Sequence, residues 1–189
     1  MFAASTSDAT NDTTLWAPWV AGDLKYLVIP RAAPVVGAIS TRTVTAGATV
    51  SFQISATDAA VATSALNYTL VNPPAGATIN PTNHFFSWRP TIAQSPSTNV
   101  ITVKVSVNGS PTLSTPYSFL VVVNRPPAPT LSQAAMTNGI FSMRVSGVNG
   151  PDYQVWSSTN LGNGTLPQQN VSPSVPFTFT DFAATNFSQ

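Results

Sequence analysis

Cysteine is absent from this 189-residue chain. Its absence excludes disulfides, thiolate nucleophiles and thiolate metal sites together. Glutamate is absent as well, so the six acidic residues are all aspartate; the only lysines are Lys25 and Lys104, and the only histidine is His84. Charged residues make up 7% of the chain, against about 25% in an average globular protein. Solubility must therefore rest on Ser, Thr, Asn and Gln, a surface common in secreted and cell-surface β-proteins. Net charge is +1, and Arg31, Arg42, Arg89, Arg125 and Arg144 are scattered, so the clustered basic footprint of a nucleic-acid binder is missing. No apolar run approaches the roughly 20 residues of a membrane-spanning helix. Met1-Phe2-Ala3-Ala4 lacks the basic region and long apolar core of a secretory signal; an exported chain would have lost its signal or be a piece of something longer.

Chemistry is equally sparse. A Ser-His-Asp triad would have to use His84, which sits beside Phe85 and Phe86, and there is no Gly-x-Ser-x-Gly elbow. Paired carboxylates would have to come from Asp8, Asp12, Asp23, Asp58, Asp152 and Asp181, which fall in the N-terminal segment, in turns or at strand edges. One histidine without cysteine makes a poor zinc site, and no Gly-rich phosphate loop precedes a helix. The expectation is a protein without catalytic, cofactor-binding or metal-ligating residues.

What the chain does have is alternation. Ile101, Val103, Val105 and Val107 interleave with Thr102, Lys104 and Ser106, and Tyr117, Phe119, Val121 and Val123 repeat the pattern. This period of two marks half-buried antiparallel strands. Further strands are expected at about 35–44, 49–57, 65–71, 77–79 and 85–88, with Val50, Phe52, Ile54, Leu66, Tyr68 and Leu70 facing inward. Ala46-Gly47 supplies a tight turn, and Pro73-Pro74-Ala75-Gly76 drives the chain out of the sheet. Trp88, in the Ser-Trp-Arg-Pro segment, is expected in the core. Short strands at this spacing indicate a β-sandwich.

The chain divides into four parts on this reading. Residues 1–33 are an N-terminal extension, polar at first and then bearing Trp16, Trp19, Tyr26, Leu27 and Ile29. Residues 34–124 are the sandwich, and 125–129 (RPPAP) a stiff proline-rich connector. Residues 130–189 form a second, smaller β-domain with strands at about 139–146, 152–158 and 176–181. Six Asn-x-Ser/Thr sequons occur, beginning at Asn11, Asn67, Asn108, Asn163, Asn170 and Asn186; they matter only in a host that glycosylates them.

Two stretches resemble known families. VTAGATVSFQISATD, LNYTL, PAGATINPTNHFFSWRPT and VITVKVSVNGSPTLSTPYSFLVVV are similar to the Ig-like, cadherin-like modules repeated in large bacterial surface proteins. That resemblance implies a seven-stranded Ig-like sandwich without catalysis, outside the cell. True cadherins bind calcium through acidic clusters; here Asp58 stands at the family's position but is followed by Ala59, Ala60 and Val61. One aspartate cannot supply six to eight oxygen ligands, so no calcium site is expected. GIFSMRVSGVNGPDYQVWSSTNLGNGTL with PFTFTDFAATNFSQ is similar to a small β-domain near the C-termini of secreted multidomain proteins of Verrucomicrobia and Planctomycetes. In that family an aromatic, arginine-bearing strand follows the point where this sequence ends.

The fold class expected is thus all-β: an Ig-like β-sandwich followed by a smaller β-sandwich domain. The leading functional reading is a non-catalytic structural module of a bacterial extracellular or cell-surface protein. It would self-associate, or bind other surface proteins, with Trp16, Trp19, Tyr26, Leu27 and Ile29 adding a strand to a neighbour, as in a filament. The alternative is a carbohydrate-binding accessory module of a larger secreted enzyme, with Trp156 stacking on a polysaccharide.

Overall fold

The computed structural model describes residues 19–20, 23–24, 31–108, 112–158, 165–171, 173–182 and 184. In chain order the strands are β1 (Trp19–Val20), β2 (Asp23–Leu24), β3 (Val35–Val36), β4 (Arg42–Thr45), β5 (Val50–Gln53), β6 (Ala56–Thr57), β7 (Leu66–Val71) and β8 (Thr78–Ile79). They continue with β9 (Phe85–Trp88), β10 (Ser97–Val107), β11 (Leu113–Asn124), β12 (Thr130–Thr137), β13 (Ile140–Ser146), β14 (Tyr153–Ser157), β15 (Thr165–Asn170) and β16 (Phe177–Asp181). Two single 3₁₀ turns, Thr63–Ala65 and Ile92–Gln94, interrupt the strands. The all-β class is as the alternation implied.

The larger sheet runs in the order β4-β11-β10-β7, a second runs β5-β9-β8, and β3 pairs with β6. Register explains how alternation becomes a core. Antiparallel pairing sets Val103 opposite Leu70, Val105 opposite Tyr68 and Val107 opposite Leu66, so the apolar positions of both strands share one face. Ile101, Val103, Val105, Val107, Leu66 and Tyr68 are all buried. Phe86, wholly buried, stands 5.3 Å from Phe52 and 5.4 Å from Phe119 between ring centroids, and Phe52 lies 5.5 Å from Phe119. These tilted and edge-on rings take the arrangement that aromatic quadrupoles favour. Trp88 is buried too, and its Nε1–H donates to the Ala75 carbonyl at 3.1 Å.

Two expected strands are broken. The 35–44 strand becomes β3 and β4, because Gly37 N–H turns aside to the Ser55 carbonyl and Ile39 N–H donates to the Tyr117 hydroxyl. The 49–57 strand becomes β5 and β6, because Ile54 N–H bonds to the His84 carbonyl.

After the prolines, one sheet runs β12-β13-β16 and another pairs β14 with β15. Both β12 and β15 lie outside the strands expected from the sequence. The β12–β13 hairpin closes through Asn138 and Gly139, with φ of 52° and 79°, the left-handed pair that a two-residue turn between twisted strands demands. Register along β12 slips between Ser132 and Ala135, and Gln133 has a φ of 53°. One extra residue therefore bulges from this edge strand.

Contacts between α-carbons group the chain into two compact units. One comprises 1–41, 51–88 and 99–121; the other comprises 42–50, 89–98 and 122–189. The first is built around the Phe52–Phe86–Phe119 cluster. In the second, Val145 and Phe179 are buried, and Tyr153 and Phe177 meet edge-on at 5.8 Å.

Candidate binding surfaces

Strand β14 alternates, with Tyr153, Val155 and Ser157 half-buried and Gln154 and Trp156 exposed. Tyr153 is fixed from its tip: its hydroxyl donates to the Val148 carbonyl at 2.8 Å and accepts from the Val148 N–H at 2.9 Å. A Cβ on Gly147 would collide with that hydroxyl, so glycine is required there. Trp156 is 59% exposed, and its indole N–H reaches Gln154 Oε1 at 3.4 Å. Register between β14 and β15 slips between Val155 and Ser157, with Val155 opposite Gln168 and Ser157 opposite Thr165. Pro167 lies in the slipped stretch, where it cannot donate to the ladder.

Beside Trp156 is an open cleft of about 230 Å³, walled by Leu131, Met143, Val145, Tyr153, Val155 and Trp156. Its walls come from β12, β13 and β14, and those six side chains carry no charge. Leu131 is 63% exposed and Met136, farther along β12, 58%. Every residue of β12 is exposed, and among the described residues β12 and β14 each have one strand neighbour. Each therefore has one edge that no other described strand pairs with, the side on which a further strand can add.

A second concavity, about 370 Å³, opens in the first unit beside Tyr68 and His84. Its remaining walls are the uncharged Gln53, Ile54, Ser55, Ala56, Thr63, Thr82 and Asn83. The His84 ring stacks on Tyr68 with centroids 3.9 Å apart and planes 19° from parallel. Burial raises the Tyr68 hydroxyl above its ordinary pKa, opposed by a backbone hydrogen bond from Ala56. His84 has a φ of 59° and accepts from Ile54 N–H through its carbonyl; it is a turn residue leading into β9.

Three of the described aspartates have structural partners. Asp58 Oδ1 accepts from the N–H groups of Ala60 at 2.8 Å and Val61 at 3.3 Å, capping a turn. Asp152 pairs with Arg89 at 2.8 Å, and Asp181 closes the β16 register opposite Phe141. Among the described residues no three His, Cys, Asp or Glu side chains come together as a metal site. No helix among them is long and apolar enough to cross a membrane.

Of the residues expected to mediate self-association, Trp16, Tyr26, Leu27 and Ile29 lie outside the described residues. Trp19 is described only by its backbone, which pairs with Leu24 in the β1–β2 hairpin. Leu131 and Met136 were not visible in the sequence as surface features, because β12 itself was not; the Asn138-Gly139 turn was the signal that could have found it.

The sheet order, the buried alternation and the aromatic core define an Ig-like β-sandwich. Residues 33–124 match the family described as "Putative Ig domain", which accords with the Ig-like sandwich of this stretch. No curated protein matches the chain. Among solved structures the chain is similar to a nucleoside hydrolase-related hypothetical protein from Saccharophagus degradans associated with carbohydrate metabolism. There the identity is 21% and the TM-score 0.38, covering 50% of this chain and 26% of that one. It is also similar to extracellular cadherin domains 3–6 of protocadherin gamma B2 (21% identity, TM-score 0.42, 61% of this chain and 32% of that one). Mouse cadherin-23 EC22-24 is a further case (19%, TM-score 0.40, 56% and 38%). The chain thus spans between about a quarter and two-fifths of the length of these three structures.

Proposed function

We propose that this protein is a non-catalytic structural module of an extracellular or cell-surface protein, and that it self-associates. On this reading 1–33 is the associating extension, 34–124 the Ig-like scaffold, 125–129 a stiff connector and 130–189 a second β-domain. The observation that carries the reading is the fully exposed strand β12 with Leu131 and Met136 on its surface. Apolar side chains along an edge that no other described strand covers mark a place where another chain adds. The extension supplies Trp16, Trp19, Tyr26, Leu27 and Ile29, more apolar surface than a polar terminus would leave in water.

Deleting residues 1–30 tests the reading. Light scattering and electron micrographs should show assemblies, up to filaments, for the full chain and monomers for the deletion, with thermal unfolding of the 33–124 domain retained. Assembly that survives the deletion removes the extension from the mechanism.

Exposure of Trp156 favours a second reading, an accessory module that stacks an aromatic ring on polysaccharide. A glycan panel with Trp156→Ala as control decides it: binding lost in the variant supports it, and no binding to any glycan removes it.

A further inference from the structure

We infer that the cleft beside Leu131 and Trp156 is an acceptor for an extended strand, and that its occupant is the Tyr26–Ile29 run of a second copy of this chain. The inference rests on the self-association reading and specifies where the associating segment goes.

The walls select the class of ligand. Two strand edges, β12 and β14, border a cleft whose six named side chains are uncharged and largely apolar. A small apolar molecule would cover those side chains and leave the edge N–H and C=O groups bare. An extended peptide satisfies both, pairing its backbone with an edge while its side chains enter the cleft. The occupant must also be apolar on both faces, because the cleft is walled from two sheets; a strand covered on both faces reads as a continuous apolar run rather than an alternating one.

Tyr26-Leu27-Val28-Ile29 is such a run, followed by Pro30, which ends a ladder by lacking an N–H. At about 3.3 Å per residue four residues span roughly 13 Å, within the reach of the five-residue β14. A second copy is the source on the self-association reading, in which residues 1–33 are the segment that joins a neighbour.

Two point variants of the full chain test this, each checked by circular dichroism for its fold. Leu131→Asp, at an exposed wall position, damages the acceptor; Leu27→Asp damages the donor. Each alone should raise the protein concentration needed for assembly at least tenfold in analytical ultracentrifugation. Mixed one to one, they should form dimers and stop there, because each variant retains one working half. Should Leu131→Asp assemble like the parent while Leu27→Asp does not, the acceptor lies elsewhere and this inference falls, with self-association intact. Should the parent stay monomeric at every concentration, self-association itself falls. A mixture that remains monomeric also overturns the donor–acceptor pairing.

Discussion

Arg89 and Asp152, 63 positions apart in sequence, meet at 2.8 Å, and the guanidinium does more than neutralise a carboxylate. Its Nε donates to the Gly47 carbonyl at 2.7 Å and its Nη2 to the Gly150 carbonyl at 2.9 Å. One planar side chain thus ties the 46–48 turn to the 149–152 turn within the same compact unit.

Because both charges of the pair are more than a third exposed, the ionic part contributes little, and the hydrogen bonds to carbonyls contribute more. Arg89→Ala should cost about 1.5–3 kcal/mol, while Asp152→Asn should cost less than about 1 kcal/mol. Urea unfolding followed by fluorescence measures both. Equal losses would make the ion pair the dominant link.

Backbone packing at the same place gives a second expectation. Gly150 has a φ of 114°, and a Cβ there would stand 2.9 Å from Ala48 Cβ; Gly76 has a φ of 85° with nothing closer than Trp88 at 3.8 Å. Gly150→Ala therefore combines backbone strain with a clash, whereas Gly76→Ala meets strain of about 1–3 kcal/mol alone. The midpoint of thermal unfolding should fall further for Gly150→Ala.

Phe86 sits at the centre of the three-ring cluster and has no solvent exposure. Phe86→Ala should destabilise the Ig-like domain by about 3–5 kcal/mol, as removal of a buried aromatic leaves a cavity. Denaturant titration followed by near-ultraviolet dichroism reads the loss.

Tyr68 predicts an alkaline limit. Its pKa is raised above the ordinary value of 10.0 by burial, so the folded state holds its proton more tightly than the unfolded one. That contribution is fully present below about pH 10 and is lost as pH rises through the higher folded value. Melting temperatures should hold from pH 8 to about 10 and then fall, and Tyr68→Phe should fall less. Identical slopes for the two proteins would remove Tyr68 as the cause.

Much of the Ig-like domain was legible because its signals are local. Val103 and Val105 announce their face by alternation alone, and the partner residues Leu70 and Tyr68 carry the same period. Trp88 reads as core because a large ring beside a long alternating strand has few other places to go. The breaks in the first strands were not legible, since the Ser55 carbonyl, the Tyr117 hydroxyl and the His84 carbonyl that take their N–H groups come from distant positions. Strand β12 escaped for the opposite reason. Its LSQAAMT sequence has one β-branched residue after Thr130, and it buries no side chain, so neither propensity nor period speaks for it. Only its pairing with β13 makes it a strand. The cleft escaped with it, because Leu131 is a wall only once β12 exists.

The slip in β12 between Ser132 and Ala135 bears on crowding. A straight, regular edge would accept any passing strand, including those of half-folded neighbours during synthesis or export. An irregular one accepts only a partner short enough to stop before the kink or shaped to follow it. In a chain with so few charges to hold molecules apart, that irregularity would, on the self-association reading, restrict which strands this edge admits.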